Sequence, residues 1–129
     1  AEKYGIGTRC YAAELMFNTV TELANLDKVY TPLPKYPATS RDIALLVEET
    51  IPVGEIERVI REAGTEILRE IKLFDIYRGK QVAEGKKSVA FNLTYRHNDR
   101  TLTDEDVATA HNLVLEALKD KLDATLREM

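Results

Sequence analysis

Residues 72–102, KLFDIYRGKQVAEGKKSVAFNLTYRHNDRTL, decide the fold. Within them, residues 87–96 alternate without a break. Val89, Phe91, Leu93 and Tyr95 point one way, and Ser88, Ala90, Asn92, Thr94 and Arg96 the other, as in a strand with one buried face. Residues 68–77 read as a partner strand, ended by Arg78-Gly79, so the stretch is a hairpin with a basic loop. Upstream, residues 41–47 place Ile43, Leu45 and Val47 two apart and form another strand. Val53, Ile56, Val59 and Ile60 follow at helical spacing, with Pro52 suited to the first turn and Gly64 as the stop. Downstream, Thr103 caps a helix of about 16 residues, judged by the apolar spacing of Val107, Ala110, Leu113, Val114, Ala117 and Leu118. Its first turn carries Asp104, Glu105 and Asp106, where the helix dipole favours negative charge. Residues 124–127 close the order as a short last strand.

Strand, helix, strand, strand, helix, strand is the α+β split βαβ pattern. It folds as a ferredoxin-like sandwich, a four-stranded antiparallel sheet with two helices on one face. The face without helices is expected to present Asp42 and Ala44 from the first strand and Leu73, Asp75 and Tyr77 from the second. Ala90, Asn92, Thr94 and Arg96 complete it from the third. A one-residue slip in register would invert each set. Before this unit, residues 10–17 have the apolar and aromatic character of a strand, with Cys10 expected to be buried in it. Pro32, Pro34 and Pro37 mark a stiff, extended connector. The boundary falls there, giving residues 1–32 and 33–129 as separate domains. A start at Ala1, close to that strand, is read as a piece cut from something larger.

Charge narrows the function. The 129 residues carry a net charge of −4, yet residues 69–100 hold eight basic and four acidic side chains. The flanking acidic stretches repel a polyanion while this segment attracts one. With one cysteine there is no intrachain disulfide, and no apolar run of membrane-spanning length or secretory leader is present. These features lead to an expectation of a soluble, cytoplasmic protein without a membrane partner.

Catalytic constellations are absent. His97, His111 and Cys10 lie on separate elements and lack metal-ligand spacing, so no metal site is expected. Gly79 and Gly85-Lys86-Lys87-Ser88 evoke a phosphate loop, but five residues separate the glycines where four are needed. The hydroxyl is also one place late, and a strand follows instead of a helix. An acylphosphatase-like reading fails because Glu48-Glu49-Thr50, after the first strand, would repel a phosphate. What remains is a sheet platform. Tyr77 and Asn92 can stack on and hydrogen-bond to unpaired bases, and Arg78, Lys86, Lys87, Arg96 and Arg100, in a basic cluster with Lys80, can meet phosphates. The competing reading is a protein–protein module that uses the basic hairpin as a subunit contact.

Four blocks, in order, carry a resemblance. They are Leu33-Pro34-Lys35-Tyr36-Pro37 with Ser40-Arg41-Asp42-Ile43-Ala44-Leu45, then Phe74-Asp75-Ile76-Tyr77-Arg78-Gly79, then Gly85-Lys86-Lys87-Ser88-Val89-Ala90, and finally residues 100–107, RTLTDEDV. Together they resemble the ferredoxin-fold anticodon-binding domain that closes the β subunit of bacterial phenylalanyl-tRNA synthetase. Residues 10–17 resemble the last strand of the preceding, catalytically inactive synthetase-like domain. The resemblance implies a module without chemistry or cofactor of its own. It would dock the anticodon stem-loop of phenylalanine tRNA for aminoacylation by the α subunit. Magnesium, ATP and phenylalanine would bind elsewhere in the holoenzyme.

Overall fold

The computed structural model describes residues 2–27, 29–30, 32–79 and 81–127. They divide into two compact units, residues 1–32 and residues 33–129.

In the first unit, a 3-10 turn spans Glu2–Tyr4 and helix α1 spans Phe17–Leu23, with none of its residues buried. The strand expected over residues 10–17 does not form. Residues 10–16 are irregular, and Phe17 opens the helix instead. A strand persists where a neighbour takes up its backbone donors and a sheet face buries its side chains. Among the described residues this segment has neither, and Cys10 is exposed rather than buried.

The second unit runs β1 (Thr39–Glu48), α2 (Val53–Ala63), β2 (Leu68–Tyr77), β3 (Lys86–Tyr95), α3 (Asp104–Leu122) and β4 (Thr125–Leu126). The sheet order is β2-β3-β1-β4, with every pairing antiparallel. This is the ferredoxin-like arrangement expected from the element order. Ile43, Leu45 and Val47 of β1 and Val89, Phe91, Leu93 and Tyr95 of β3 form the core with Ile56, Val59 and Ile60 of α2. From α3, Val107, Ala110, Val114 and Leu118 complete it. Leu113 was expected on that apolar face but is 45% exposed, because the buried stripe advances by three and four residues from Val107 and passes it on the solvent side. No helix among the described residues is long and apolar enough to cross a membrane.

Local chemistry sets the element ends. Thr103 accepts from the Asp106 amide while the Asp106 carboxylate accepts from the Thr103 amide, the reciprocal cap of a helix start. Gly64 caps the end of α2 where a side chain does not fit, since a Cβ there would lie 2.3 Å from Leu68 Cδ2. Gly85, at φ +81°, turns the chain into β3 in a conformation few other residues tolerate.

One strand departs from simple alternation. The β2–β3 register shifts between Leu73, opposite Phe91, and Asp75, opposite Ala90. Phe74 is therefore an extra residue, a β-bulge. Leu73 was expected on the open face, but the bulge puts it with Ile71 and Ile76 against the core. Lys72, paired with Asn92, takes its place outside.

At the helix side of the sheet, the Tyr95 hydroxyl is hydrogen-bonded to His111 Nδ1 at 3.0 Å, with the rings edge to face. Burial pushes the Tyr95 phenol up to about 12, against a small opposing pull from the Arg41 guanidinium. Burial first, and then Arg41, hold His111 below its usual value. Arg41 itself pairs with Asp104 at 3.5 Å. The folded state therefore prefers neutral His111, while the unfolded chain binds a proton near pH 6.5. Stability from this group is complete above that pH and is lost as pH falls through it towards the lower folded value. Urea midpoints at about pH 7.5 and pH 5.5 are expected to differ less in His111→Gln than in the parent. Identical pH dependence in both would rule out His111 as its source.

Candidate nucleic-acid interface

The face of the sheet away from the helices carries the polar side chains. Register puts Asp42 opposite Asn92 and Asp75 beside Ala90, with Tyr77 opposite Ser88 and Ser40 opposite Thr94. Asn92 Nδ2 donates to Asp42 Oδ1 at 2.6 Å, and Thr94 Oγ1 donates to Asn92 Oδ1 at 3.4 Å. Asp42 is thus held by an amide. These linked groups have donors and acceptors left over for an external partner.

Tyr77 stands at the other end of the same face, 36% exposed. Its hydroxyl rests on Gly79, where a Cβ would come within 2.4 Å. A glycine here lets the β2 terminus turn without displacing the ring. Beside it, Ser88, Ala90 and Ala44 are only 5%, 8% and 9% exposed although they face away from the helices.

The predicted cations divide into three kinds. Arg96 lies at the end of β3. Its backbone N–H donates to the Ile67 carbonyl, but its guanidinium has no hydrogen-bond or ion-pair partner among the described residues. Three others hold acids, of which Glu49 and Glu48 are exposed and Asp106 is half-buried. Arg78 Nε donates to Glu49 Oε1 at 2.7 Å, Lys86 lies 3.7 Å from Glu48, and Arg100 grips Asp106 through two bonds of 2.5 and 2.8 Å. Arg100, then the Thr103 amide and hydroxyl, keep the Asp106 carboxyl well below the usual carboxylate range. The exposed Arg78–Glu49 and Lys86–Glu48 pairs are worth about 0–1 kcal/mol each, so a phosphate can replace those acids at small cost.

Lys87 is different. It is 4% exposed and lies on the core side of β3, and its ammonium donates to the Glu49 and Ile51 carbonyls at 2.9 and 2.6 Å. The expectation that Lys87 meets RNA alongside Lys86 is therefore corrected. Alternation inverts adjacent side chains, and this lysine closes the turn between β1 and α2. Lys80 lies outside the described residues. Sequence reasoning missed Lys72, which the bulge turns outward without a partner among the described residues, and Arg127, whose guanidinium lies 5.5 Å from the Tyr77 ring centre.

Residues 34–127 match the family described as the ferredoxin-fold anticodon binding domain. The chain is 46% identical over 126 residues to the phenylalanine–tRNA ligase beta subunit of Clostridium tetani, a span of 98% of this chain and 16% of that protein. It is 48% identical over 126 residues to the beta subunit from Clostridium acetobutylicum, again 98% of this chain and 16% of the relative. With the Bacillus subtilis beta subunit it shares 46% over 117 residues, 91% of this chain and 15% of that one. Each relative is thus several times longer than the matched segment. With a domain-length match laid over a four-stranded sheet of the expected order, the chain belongs to the ferredoxin-fold anticodon binding domain family.

Proposed function

We propose that this chain docks the anticodon stem-loop of phenylalanine tRNA on the outer face and edges of its sheet. The observation that carries the reading is that face itself, a helix-free sheet with a half-open tyrosine and unsaturated polar side chains, in a chain of this family. Tyr77 and Asn92 contact bases or ribose, and Arg78, Lys86, Arg96 and Arg100 contact phosphates, while Lys87 supports the loop beneath them. The names of the relatives support phenylalanine tRNA as the substrate. The chain performs no chemistry in this role. Aminoacylation falls to the synthetase α subunit in the cytoplasm, with magnesium, ATP and phenylalanine bound elsewhere in the holoenzyme. Residues 1–32 are the end of the preceding synthetase-like domain of the β subunit.

Fluorescence anisotropy of the chain with phenylalanine tRNA and an unrelated tRNA tests this. Three or four phosphate contacts predict that affinity falls roughly 20–50-fold between about 50 and 200 mM salt. Arg96→Ala is expected to weaken binding to both tRNAs and to reduce the salt slope by about one contact. Equal affinity for the two tRNAs in the parent chain would reduce the site to a general basic patch. Salt-independent binding, or none at low salt, would move the hairpin's role to a protein contact.

A further inference from the structure

The sheet has a second cationic end, away from the hairpin loop. The β2–β3 register jumps from Leu68, opposite Tyr95, to Glu70, opposite Thr94, so Arg69 is an extra residue at the start of β2. Its side chain lies against the segment that leaves β3. Nε donates to the Arg96 carbonyl at 3.0 Å, and Nη2 donates to Asn98 Oδ1 at 3.1 Å. The Arg96 amide in turn donates to the Ile67 carbonyl at 2.8 Å. Arg69 is thus fixed by two neutral oxygens, and Nη1 keeps its hydrogens for another acceptor.

This sets Arg69 apart from the cations described above. Arg78 and Lys86 each face a glutamate, and Arg100 is gripped by Asp106. Among the described residues neither Arg69 nor Arg96 pairs with an acid, although Glu70 and Asp99 stand close in sequence. A phosphate arriving at Arg69 displaces no carboxylate, and the anchored side chain has little rotamer freedom left to lose. The planar fork of an arginine also matches phosphate oxygens two at a time.

We propose that Arg69, with Arg96, forms a phosphodiester site that takes the backbone of the paired stem, while the unpaired loop lies towards the hairpin end. The inference rests on RNA docking at this sheet. Across the ten residues of β3, at about 3.3 Å each, the two ends of the sheet lie about 30 Å apart. Arg69 opens β2 and Tyr77 ends it. An RNA with its unpaired bases at Tyr77 therefore presents its stem at Arg69. Cations at both ends then hold one continuous backbone, while the acidic flanks of the chain repel any other path.

Anisotropy with two RNA probes tests this: the anticodon stem-loop of phenylalanine tRNA, and a single strand with the loop sequence alone. Arg69→Ala is expected to weaken stem-loop binding about threefold to tenfold at about 50 mM salt and to lower the salt slope by about one contact. Its binding of the single strand should equal the parent's. Arg69→Gln keeps a donor for the Arg96 carbonyl without the charge. It is expected to show the reduced slope too, and it answers the question should Arg69→Ala melt early. Asn98→Ala removes one tether and leaves the charge, so the slope stays and affinity changes by less than about twofold. A loss in Asn98→Ala as large as in Arg69→Ala would overturn the proposal in favour of a loop tie, as would a parental slope in Arg69→Gln. Equal losses on both probes would put Arg69 against the loop and overturn the stem assignment. Parental stem-loop binding by Arg69→Ala, with Tyr77→Ala impaired, would sink this proposal alone. If Tyr77→Ala and Arg96→Ala both bind as the parent does, docking at the sheet fails, and the phosphodiester site with it.

Discussion

Replacing Phe91 by alanine is expected to destabilise the chain by about 3–5 kcal/mol, the range for removing a buried aromatic ring. Phe91 is fully buried on β3, an inner strand, and register sets it between Ile43 of β1 and Leu73 of β2. No loop adjoins it, so the neighbours can collapse only partly into the space left. Domains of this size are stable by about 5–15 kcal/mol, so the variant should sit close to its unfolding midpoint at moderate temperature. Phe74→Ala is the matched control, because that ring is 53% exposed at the bulge, and a change within about 0.5–1 kcal/mol is expected. Urea titration followed by circular dichroism measures both. Similar losses in the two variants would mean that the core does not run through Phe91.

Lys87→Met is expected to cost about 2–4 kcal/mol, while Lys86→Ala changes stability by less than about 0.5 kcal/mol. Methionine keeps most of the aliphatic stem and removes only the ammonium. The loss then reports the Glu49 and Ile51 carbonyls, left without a donor in the turn whose Glu49 amide donates to the Gly85 carbonyl. Lys86, one residue earlier, is loosely paired with exposed Glu48 and has little to lose. Binding should divide the other way at low temperature, where both variants remain folded. Lys86→Ala is expected to weaken tRNA binding about twofold to fivefold through one lost phosphate contact, and folded Lys87→Met to match the parent. A stable Lys87→Met variant with impaired RNA binding would restore Lys87 to the interface.

The sheet was legible wherever apolar spacing was unambiguous. Val89, Phe91, Leu93 and Tyr95 admit one orientation, and the capping residues around Thr103 and Asp106 mark a helix start with equal clarity. In β2 the apolar residues Ile71, Leu73, Phe74 and Ile76 fit two phases, and only the pairing with β3 shows that the strand changes phase at residue 74. The cationic hairpin was also visible in composition. What composition does not contain is which acid each cation finds. Arg78 meets Glu49 from 29 positions away, and the Lys87 ammonium turns inward to two carbonyls. Arg127 gave no local signal, since its relation to Tyr77 exists only after β4 has paired with β1. The failed strand over residues 10–17 follows the same logic, because extended structure depends on a neighbour as much as on its own residues.

The bulge in β2 also bears on how the molecule behaves in a crowd. This is a ten-residue strand at the rim of the sheet, with one row of backbone donors and acceptors open to any passing extended chain. Long, flat rims of that kind seed aggregates. Here the register shifts twice, near Leu68 and again at Phe74, and Arg69, Glu70, Lys72 and Asp75 punctuate the same run. An incoming strand can match at most a few consecutive bonds before the spacing fails or a charge must be desolvated. The irregularity that turns Lys72 outward therefore also protects the chain against self-templating at high concentration.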